Sequence, residues 1–424
     1  MTATAARQHA TGAAEAFRRF RNFGDVATAL ALWSLAPFHA AAWLIAGQVG
    51  SDDLYLETLA LPLLAVLFPV TLRYGNAIRP HVDRIAASGL AFNLIVFVIG
   101  AFIWERDGLV TGTVIGSLFA LGAIGITLVY GILKFGHFAH GDTMMLSAYL
   151  AFMFFTGNIA GEAQRSDVQL LPLSTGDLPG ATTRIWEFSF GYSLLVAMGL
   201  AAMLMAGLLI ALDRAVYGPL RRRRSGIVTF SIASLGLALM IRSLMLILWG
   251  SDPRFYSPGI RKATDLPFDI RILYDQLFIL AMAFLLMAAI YLLLYRTKLG
   301  KTMRAMSDNA ELARVSGINT DHTVMWTWAV AGALVAIAGV MLGLQTQLRP
   351  ELGFIIILPL FASAILGGVG SPHGALAGGL IIGIVQETSV TSGILDSGYK
   401  FSVAAIVLVI ILLVRPTGLF GVPR

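Results

Sequence analysis

The sequence predicts an all-α polytopic membrane protein with about 12 transmembrane helices, and three observations lead to this class. First, 57% of the 424 residues are hydrophobic and only 13% are charged, against about 25% charged residues in soluble domains. Second, the mean hydropathy is +0.79. Third, the apolar residues lie in long unbroken runs. About 20 such residues cross the ~30 Å hydrocarbon core as a helix, in which every backbone polar group is paired.

Twelve apolar runs are candidates for these helices. The runs at 143–156, 374–386 and 401–414 are short for a crossing. Either their flanks extend them, or they are re-entrant or tilted, so the count varies by one or two. The twelve runs cover residues 26–47, 54–72, 85–104, 109–133, 143–156, 190–212, 226–249, 277–295, 323–345, 353–370, 374–386 and 401–414.

Basic residues concentrate in alternate loops, and this asymmetry gives the orientation. If both termini are cytoplasmic and every run crosses, the cytoplasmic segments hold 20 Lys and Arg with 8 Asp and Glu, whereas the opposite segments hold 9 and 16. The asymmetry favours an even number of crossings, although two compensating errors would give the same tally. The basic loops on one side of the membrane account for the net charge of +6, which therefore does not indicate binding to nucleic acid. The absence of cysteine excludes disulfides and thiolate metal sites.

Small residues recur four positions apart in several runs. Such spacing forms a flat strip on which a second helix packs closely. We expect close helix packing within the fold, and the alternative is a subunit contact or the lining of a solute path. The pairs and triplets are Gly112, Gly116 and Ala120, then Gly339 and Gly343, Gly374 and Gly378, and Gly379 and Gly383.

A glycine-rich run followed by a polar turn is the first chemically notable segment. The turn, His137–Asp142, contains two histidines and a carboxylate, which could suggest a metal site. We instead expect a turn at the membrane surface whose polar groups pair with loosened backbone, because no third histidine lies nearby. The run reads Gly116-Ser-Leu-Phe-Ala-Leu-Gly-Ala-Ile-Gly-Ile-Thr-Leu-Val-Tyr-Gly131.

This segment resembles the first core helix of the branched-chain amino acid permeases of ABC importers, the Liv-type permeases, which are related to urea permeases. Their helix is followed by an Asn-Phe-Ala-His-Gly-Asp/Glu turn, and His137 stands where the family usually has Asn. The resemblance implies an ABC importer permease fold. Residues from this segment and others are candidates for the translocation path or its gate, namely Gly116, Tyr130, His137, His140, Asp142, Arg242, Gly368 and Gly370.

The loop 296–322 is a candidate coupling loop. Good helix formers and apolar spacing predict one amphipathic helix over 301–315, with Asp308 and Glu311 facing Arg304 and Arg314, and with Gly317 as its stop. An ordinary solvated helix is the alternative. The loop resembles the Liv coupling segment, which implies contact with the ATPase through Arg304, Ala305, Asp308, Asn309, Glu311, Ala313, Gly317, Ile318 and Asn319.

Two further segments extend the resemblance. Residues 366–379 form a glycine-rich turn that is similar to the family's Leu-Gly-Gly-x-Gly-Ser signature, and the end of the chain, 415–421, also matches. The resemblance covers about 110–421. It implies a permease core at 109–424, whereas residues 1–108 form an N-terminal extension with about three transmembrane helices and no assigned role.

The resemblance implies a transport subunit that imports branched-chain or other apolar amino acids across the bacterial inner membrane by alternating access. Its implied partners are a second homologous permease, two ABC ATPases, a periplasmic solute-binding protein and the lipid bilayer. Gly300-Lys-Thr302 lacks the earlier glycine and the strand of a P-loop. We therefore expect no cofactor and no enzymatic activity in this chain, with ATP hydrolysed by the partner.

Alternatives remain open at this stage. A urea or short-amide ABC permease belongs to the same class. An ion-coupled secondary transporter belongs to another class, but it usually places several ionisable groups in the membrane, and here Arg242 is nearly alone within a run. An arginine at this depth is expected to face protein or a water-filled cleft, since exposure to lipid is costly.

Overall fold

The computed structural model describes residues 98, 101–102, 105–159, 168–171, 174–181, 183–257, 261–267, 270–392, 396–414 and 417–420. These residues are mostly helical. We number the helices α1 Arg106–Leu133, α2 His140–Thr156, α3 Tyr192–Leu212, α4 Gly218–Arg222, α5 Ile227–Trp249, α6 Tyr274–Arg296, α7 Lys298–Asp308, α8 Ala310–Val315, α9 Thr320–Gln345, α10 Leu352–Gly367, α11 Pro372–Thr391 and α12 Lys400–Val414.

The nine apolar runs predicted between residues 109 and 414 each coincide with a helix over most of their length. In the described part of the chain, six helices are long and apolar enough to cross a membrane, and α10 is a shorter apolar helix. Flanking residues extend the run 374–386 to Pro372–Thr391, whereas the run 353–370 ends as a helix at Gly367. The predicted runs 26–47 and 54–72, and most of 85–104, lie outside the described residues, so the predicted total of twelve stays a prediction.

Helices α1 and α11 form the most extensive helix–helix contact in the described part of the chain. A Cβ atom on Gly383 would lie 2.3 Å from Gly116 Cα, and one on Gly379 would lie 2.4 Å from Ala120 Cα. Only glycine allows this approach, because a real Cβ atom has no room at such distances. The small-residue strip of Gly112, Gly116 and Ala120 therefore packs within the fold, as predicted.

Helix α9 runs through the middle of the described fold. It packs against α1, α2 and α3 and is buried along most of its length. Two glycines permit these contacts: Gly332 meets the backbone of α3 at Ala206, and Gly339 meets the Met144 carbonyl of α2. By contrast, α5 and α6 expose many apolar side chains, as expected for helices that face lipid or a partner subunit.

Helix α2 begins inside the fold and not at its surface. The His140 ring touches Gly125 of α1. Gly125 lies eight residues before the end of α1, which is about 12 Å along a helix. The expectation of a surface turn at His137–Asp142 was therefore wrong, because this turn folds back against α1 and both histidines are fully buried.

Helix α10 begins next to the start of α2. Gly353 in its first turn meets the backbone of Gly141 and Asp142. The preceding loop enters the fold, because Leu348 is buried and its backbone bonds that of Arg254. Two short helices thus have their N-terminal ends side by side within the core.

On the opposite side from the coupling loop, short strands and polar contacts organise the connections. Strand β1 Asn158–Ile159 pairs antiparallel with β2 Val168–Gln169, and β3 Ala263–Leu266 pairs antiparallel with β4 Ile270–Leu273. Asp275 at the start of α6 accepts hydrogen bonds from the Ser189 backbone and hydroxyl, at 2.8 and 2.5 Å. Lys400 forms an ion pair with Glu387 and thereby joins α12 to α11.

Candidate functional site

An ion pair within the apolar core is the first candidate site. Arg242 in α5 donates from Nε and Nη2 to Asp142 Oδ1, each at 3.2 Å, and its guanidinium lies 4.5 Å from the Phe354 ring centroid. The Asp142 side chain is 1% exposed and the Arg242 side chain is 18% exposed. Of the two predicted surroundings of Arg242, protein or a water-filled cleft, the structure shows protein, but no sequence pattern indicates that Asp142 is its partner.

The local fold explains why these groups meet. Asp142 lies in the first turn of α2, where the positive end of the helix dipole stabilises a carboxylate. Gly353 lets the first turn of α10 approach Asp142, so that Phe354, the next residue, covers the guanidinium. Of the two charged groups, the Arg242 guanidinium reaches the surface of the chain, whereas the Asp142 carboxylate does not. Such a pair can hold the carboxylate of a small zwitterionic solute.

The two histidines form a separate, buried cluster. His137 lies 5.8 Å from His140 between ring centroids, and it contacts Trp328 at 5.1 Å and Tyr217 at 5.8 Å. His137 Nδ1 and both ring nitrogens of His140 have no hydrogen-bond partner. Within the described ranges no three His, Cys, Asp or Glu residues are grouped to hold a metal. The cluster packs as aromatic rings between α1, α5 and α9.

A polar network that the sequence analysis missed lies beside this cluster. Asp213 accepts two hydrogen bonds from Arg221, both at 2.7 Å, and one from Trp328 Nε1, also at 2.7 Å. Asp213 opens a π-helical turn, Asp213–Tyr217, between α3 and α4. A carboxylate that directly follows a long apolar run, with arginines just after it, is a sequence feature that could have indicated this ion pair.

The coupling loop is a corner of two short helices. The prediction of one helix over 301–315 was wrong, because Asn309 has extended backbone angles (φ −155°, ψ 106°) and separates α7 from α8. Its side chain starts the second helix, since Asn309 Oδ1 accepts from the backbone N–H groups of Glu311 and Leu312 at 3.0 and 2.9 Å. Capping of α8 thus replaces the continuation of α7.

The corner exposes two apolar side chains besides most of the predicted coupling residues, of which Ala313 alone is buried. Leu312 and Val315 are 64% and 86% exposed, whereas Ala313 is only 4% exposed and packs within the chain. Gly317 has the left-handed backbone (φ +85°) expected of a helix stop.

The expected ion pairs of Asp308 and Glu311 with Arg304 and Arg314 are absent in this described segment. Arg304 instead lies 4.8 Å from the ring centroid of Tyr295 in α6. The remaining coupling candidates, Ala305, Ile318 and Asn319, lie on the same corner, and Asn319 Oδ1 caps α9 through the His322 N–H.

One hydrogen bond ties the corner to the membrane core. Lys134, in left-handed conformation just after α1, donates from Nζ to the Ser307 carbonyl at 2.7 Å. Ser307 is half-buried. A movement of the corner would therefore pull directly on the end of α1.

The remaining path candidates lie in different places. Gly116 lies in the α1–α11 contact, and half-buried Tyr130 lies in the last turn of α1, where its carbonyl accepts from the Lys134 N–H. Gly368 and Gly370 form the turn before α11 with φ of +102° and +92°. The structure therefore brings Asp142 to Arg242 and His137 to His140, but it does not gather all eight candidates around one cavity.

The part of the chain that matches a known protein family coincides with the helical core described above. A sequence model of a family described as branched-chain amino acid transport system, permease component, matches residues 108–414. The matched range begins in the first turn of α1 and ends at the last residue of α12. It therefore includes the ion pair, the histidine cluster and the coupling corner.

Curated relatives are similar over most of their length. The chain is 30% identical over 330 residues to the high-affinity branched-chain amino acid permease protein LivH of Escherichia coli K12, covering 76% of this chain and 97% of LivH. It is 31% identical over 321 residues to the corresponding protein BraD of Pseudomonas aeruginosa, covering 74% and 95%.

A more distant relative is named for another solute. The autoinducer 2 import permease LsrC of Yersinia enterocolitica is 28% identical over 210 residues, 48% of this chain and 57% of LsrC. No solved structure gives a significant match. The family match and the long curated relatives show that the chain belongs to the branched-chain amino acid permease family and is a membrane-spanning permease subunit of an ABC importer.

Proposed function

We propose that this chain imports branched-chain or similar apolar amino acids across the inner membrane. The observation that carries the proposal is the match of residues 108–414 to the branched-chain family, together with relatives named for that transport over 95% or more of their length. Both termini lie in the cytoplasm in this proposal, as the distribution of Lys and Arg favours.

The Arg242–Asp142 pair supports an amino acid as the solute. An amino acid carries a carboxylate, and the Arg242 guanidinium, with 18% of its side chain exposed, is a cation that can bind it. The guanidinium retains an exposed edge, so a carboxylate that arrives along the outer face of α5 can bind it without displacing Asp142. Since lipid is a poor environment for arginine, this face is proposed to turn toward the second permease and the path between the subunits.

The coupling corner supports the use of an ATPase subunit. Exposed Leu312 and Val315 are apolar side chains at a cytoplasmic tip, where they gain free energy by entering a groove of another protein. The bond from Lys134 to Ser307 connects the corner to α1. In the proposed cycle, ATP binding closes the ATPase dimer, the corners move, and the permease pair opens to the other side.

The proposed assembly has two permeases, two ATPases and a periplasmic binding protein. Permeases of this family work with ATPase and binding-protein subunits. We propose that the second permease is a homologue of this chain. The chain itself is proposed to bind no cofactor and to perform no chemistry, with hydrolysis left to the partner subunit.

A urea or short-amide permease is the second candidate. It is supported less well, because a neutral amide offers no carboxylate to Arg242. An ion-coupled carrier is supported least, because the Asp142 carboxylate, which could otherwise bind a coupling cation in the described core, is already paired with Arg242.

The experiment is solute uptake by the complex purified through a tag on this chain and reconstituted in proteoliposomes. We expect ATP-dependent uptake of labelled leucine that needs the co-purified binding protein. Uptake of labelled urea with no leucine uptake would replace the first candidate by the second. Leucine uptake that follows an imposed ion gradient without ATP would overturn the assignment of an ATPase-driven cycle.

A further inference from the structure

A cavity lined by arginines lies at the cytoplasmic end of the fold, away from the Arg242–Asp142 pair. Its volume is about 630 Å³, within the range of about 300–1,000 Å³ that small-molecule sites occupy. The end of α3, helix α4, the last part of α8 and the first turns of α9 form its walls. Four arginines line it, namely Arg214, Arg221, Arg222 and Arg314.

Most of this positive charge has no internal partner. Asp213 neutralises Arg221 through two hydrogen bonds of 2.7 Å. In the described segments, Arg214, Arg222 and Arg314 form no ion pair; Arg314 donates only a long 3.4 Å hydrogen bond to the Thr320 hydroxyl. Asp321 is the single other carboxylate in the wall. The positive end of the α9 dipole adds to the excess, since the α9 N-terminus also lines the cavity.

The wall also has an apolar side. Ile210 from the transmembrane helix α3 and Met325 from α9 belong to the lining, besides Gly218, Asn319 and His322. The cavity therefore lies where the apolar part of the membrane ends and the cytoplasm begins. Guanidinium groups bind phosphate oxygens through paired N–H donors, and basic pockets between helices on the cytoplasmic side suit the headgroups of anionic lipids.

We propose that this cavity binds a phosphate-bearing anion, either the headgroup of an anionic phospholipid or a free phosphate ester, with Arg214 and Arg222 as its main ligands. Arg314 belongs to the coupling corner, so an anion held by Arg222 and Arg314 joins α4 to α8. Occupancy of the site then steadies the corner against α9, and the bound anion thereby regulates coupling.

A matched pair of double variants tests the proposal. Arg214→Gln/Arg222→Gln removes two charges from the cavity wall. Arg223→Gln/Arg224→Gln removes the same charge from two exposed positions directly after α4, but neither of these residues lines the cavity. The purified full-length chain, in non-ionic detergent, is titrated with phosphatidylglycerol, with phosphatidylcholine and with inorganic phosphate, and bound molecules are counted by native mass spectrometry.

We expect saturable binding of phosphatidylglycerol or phosphate, with no saturable binding of phosphatidylcholine. The cavity variant should bind about 30-fold more weakly, as two arginines near a membrane surface imply, and the control variant should change less than about threefold. Saturation by phosphatidylglycerol alone identifies a lipid headgroup, whereas saturation by inorganic phosphate identifies a soluble phosphate ester. Equal weakening of binding in both variants, or no saturable binding of either anion, would overturn the proposal. Thermal unfolding of the two variants at the same temperature excludes misfolding as the cause of weaker binding.

Discussion

Arg242 and Asp142 show how far two side chains can determine what a membrane subunit does. Each charge alone is unfavourable in an apolar core, and each is present because the other lies 3.2 Å away. Replacing one partner leaves an uncompensated charge, which costs about 3–5 kcal/mol when the pair is buried. Replacing both removes this penalty. The effect of the pair on folding can therefore be separated from its effect on transport.

We predict that Arg242→Gln lowers the amount of folded protein, because Asp142 is then left without its cation. The double variant Arg242→Gln/Asp142→Asn should regain near wild-type abundance but transport leucine at least tenfold more slowly. Abundance is measured by fluorescence-detected gel filtration, and transport by uptake into proteoliposomes. If the double variant transports at the wild-type rate, the pair is structural and contributes nothing to the solute path.

Residue spacing alone did not predict this pair, because the partners are 100 positions apart in the chain. The apolar run around Arg242 showed only that the guanidinium needs protein or water around it. Asp142 looked like part of a surface turn, because His137, His140 and Asp142 are polar and lie close together in sequence. Only the backward path of residues 134–139 against α1 places them in the core, and such a path has no periodic pattern.

At the scale of elements, the coupling corner depends on Asn309. The apolar spacing of 301–315 fits one continuous helix, and for that reason the sequence predicted one. Asn309 is nevertheless a strong N-cap residue, and its side chain takes the two backbone N–H groups that begin α8. Whether the chain caps a new helix or continues the old one depends on a few neighbouring residues. Here Asn309, with Glu311 at the second position of α8, is the feature that indicates a cap.

We predict that Val315→Glu weakens binding of the ATPase subunit at least tenfold. Burial of a valine side chain gives about 1.5 kcal/mol or more, and a carboxylate at that position would lose this and add a desolvation cost. Ser316→Glu, one residue later and also exposed, is the matched control and should bind normally. Association is followed by co-purification and by stimulation of ATP hydrolysis. Equal loss in both variants would indicate an effect of charge and not of an apolar contact.

We predict that Gly383→Ala destabilises the protein by about 1–3 kcal/mol, since the added Cβ would lie 2.3 Å from Gly116 Cα and overpacking costs this much. The matched control is Gly199→Ala in α3, where a Cβ meets nothing within 4 Å. That change should be neutral or slightly stabilising, because alanine favours a helix. Thermal unfolding in detergent measures both. A normal unfolding temperature for Gly383→Ala would show that the two helices can separate freely.

For the whole molecule, we predict that residues 1–105 are dispensable for assembly. The family match begins at residue 108 and helix α1 begins at Arg106. A chain that starts at residue 106 should insert in the membrane and still co-purify with the second permease and the ATPase. A chain shortened to residue 134 loses α1 and is the negative control. Insertion of the first truncation without capture of the partner permease would assign the N-terminal segment to the interface.

The glycine contact between α1 and α11 also restricts the kinematics of transport. Helices separated by side chains can slide by exchanging rotamers, but α1 and α11 touch through backbone atoms, so no rotamer change can accommodate a relative shift. The two helices must then move together as one rigid body when the permease switches the side to which it opens. Relative rotation of helices must instead occur at contacts made by larger side chains, such as those along α5 and α6. A pull on Lys134 therefore displaces two helices at once.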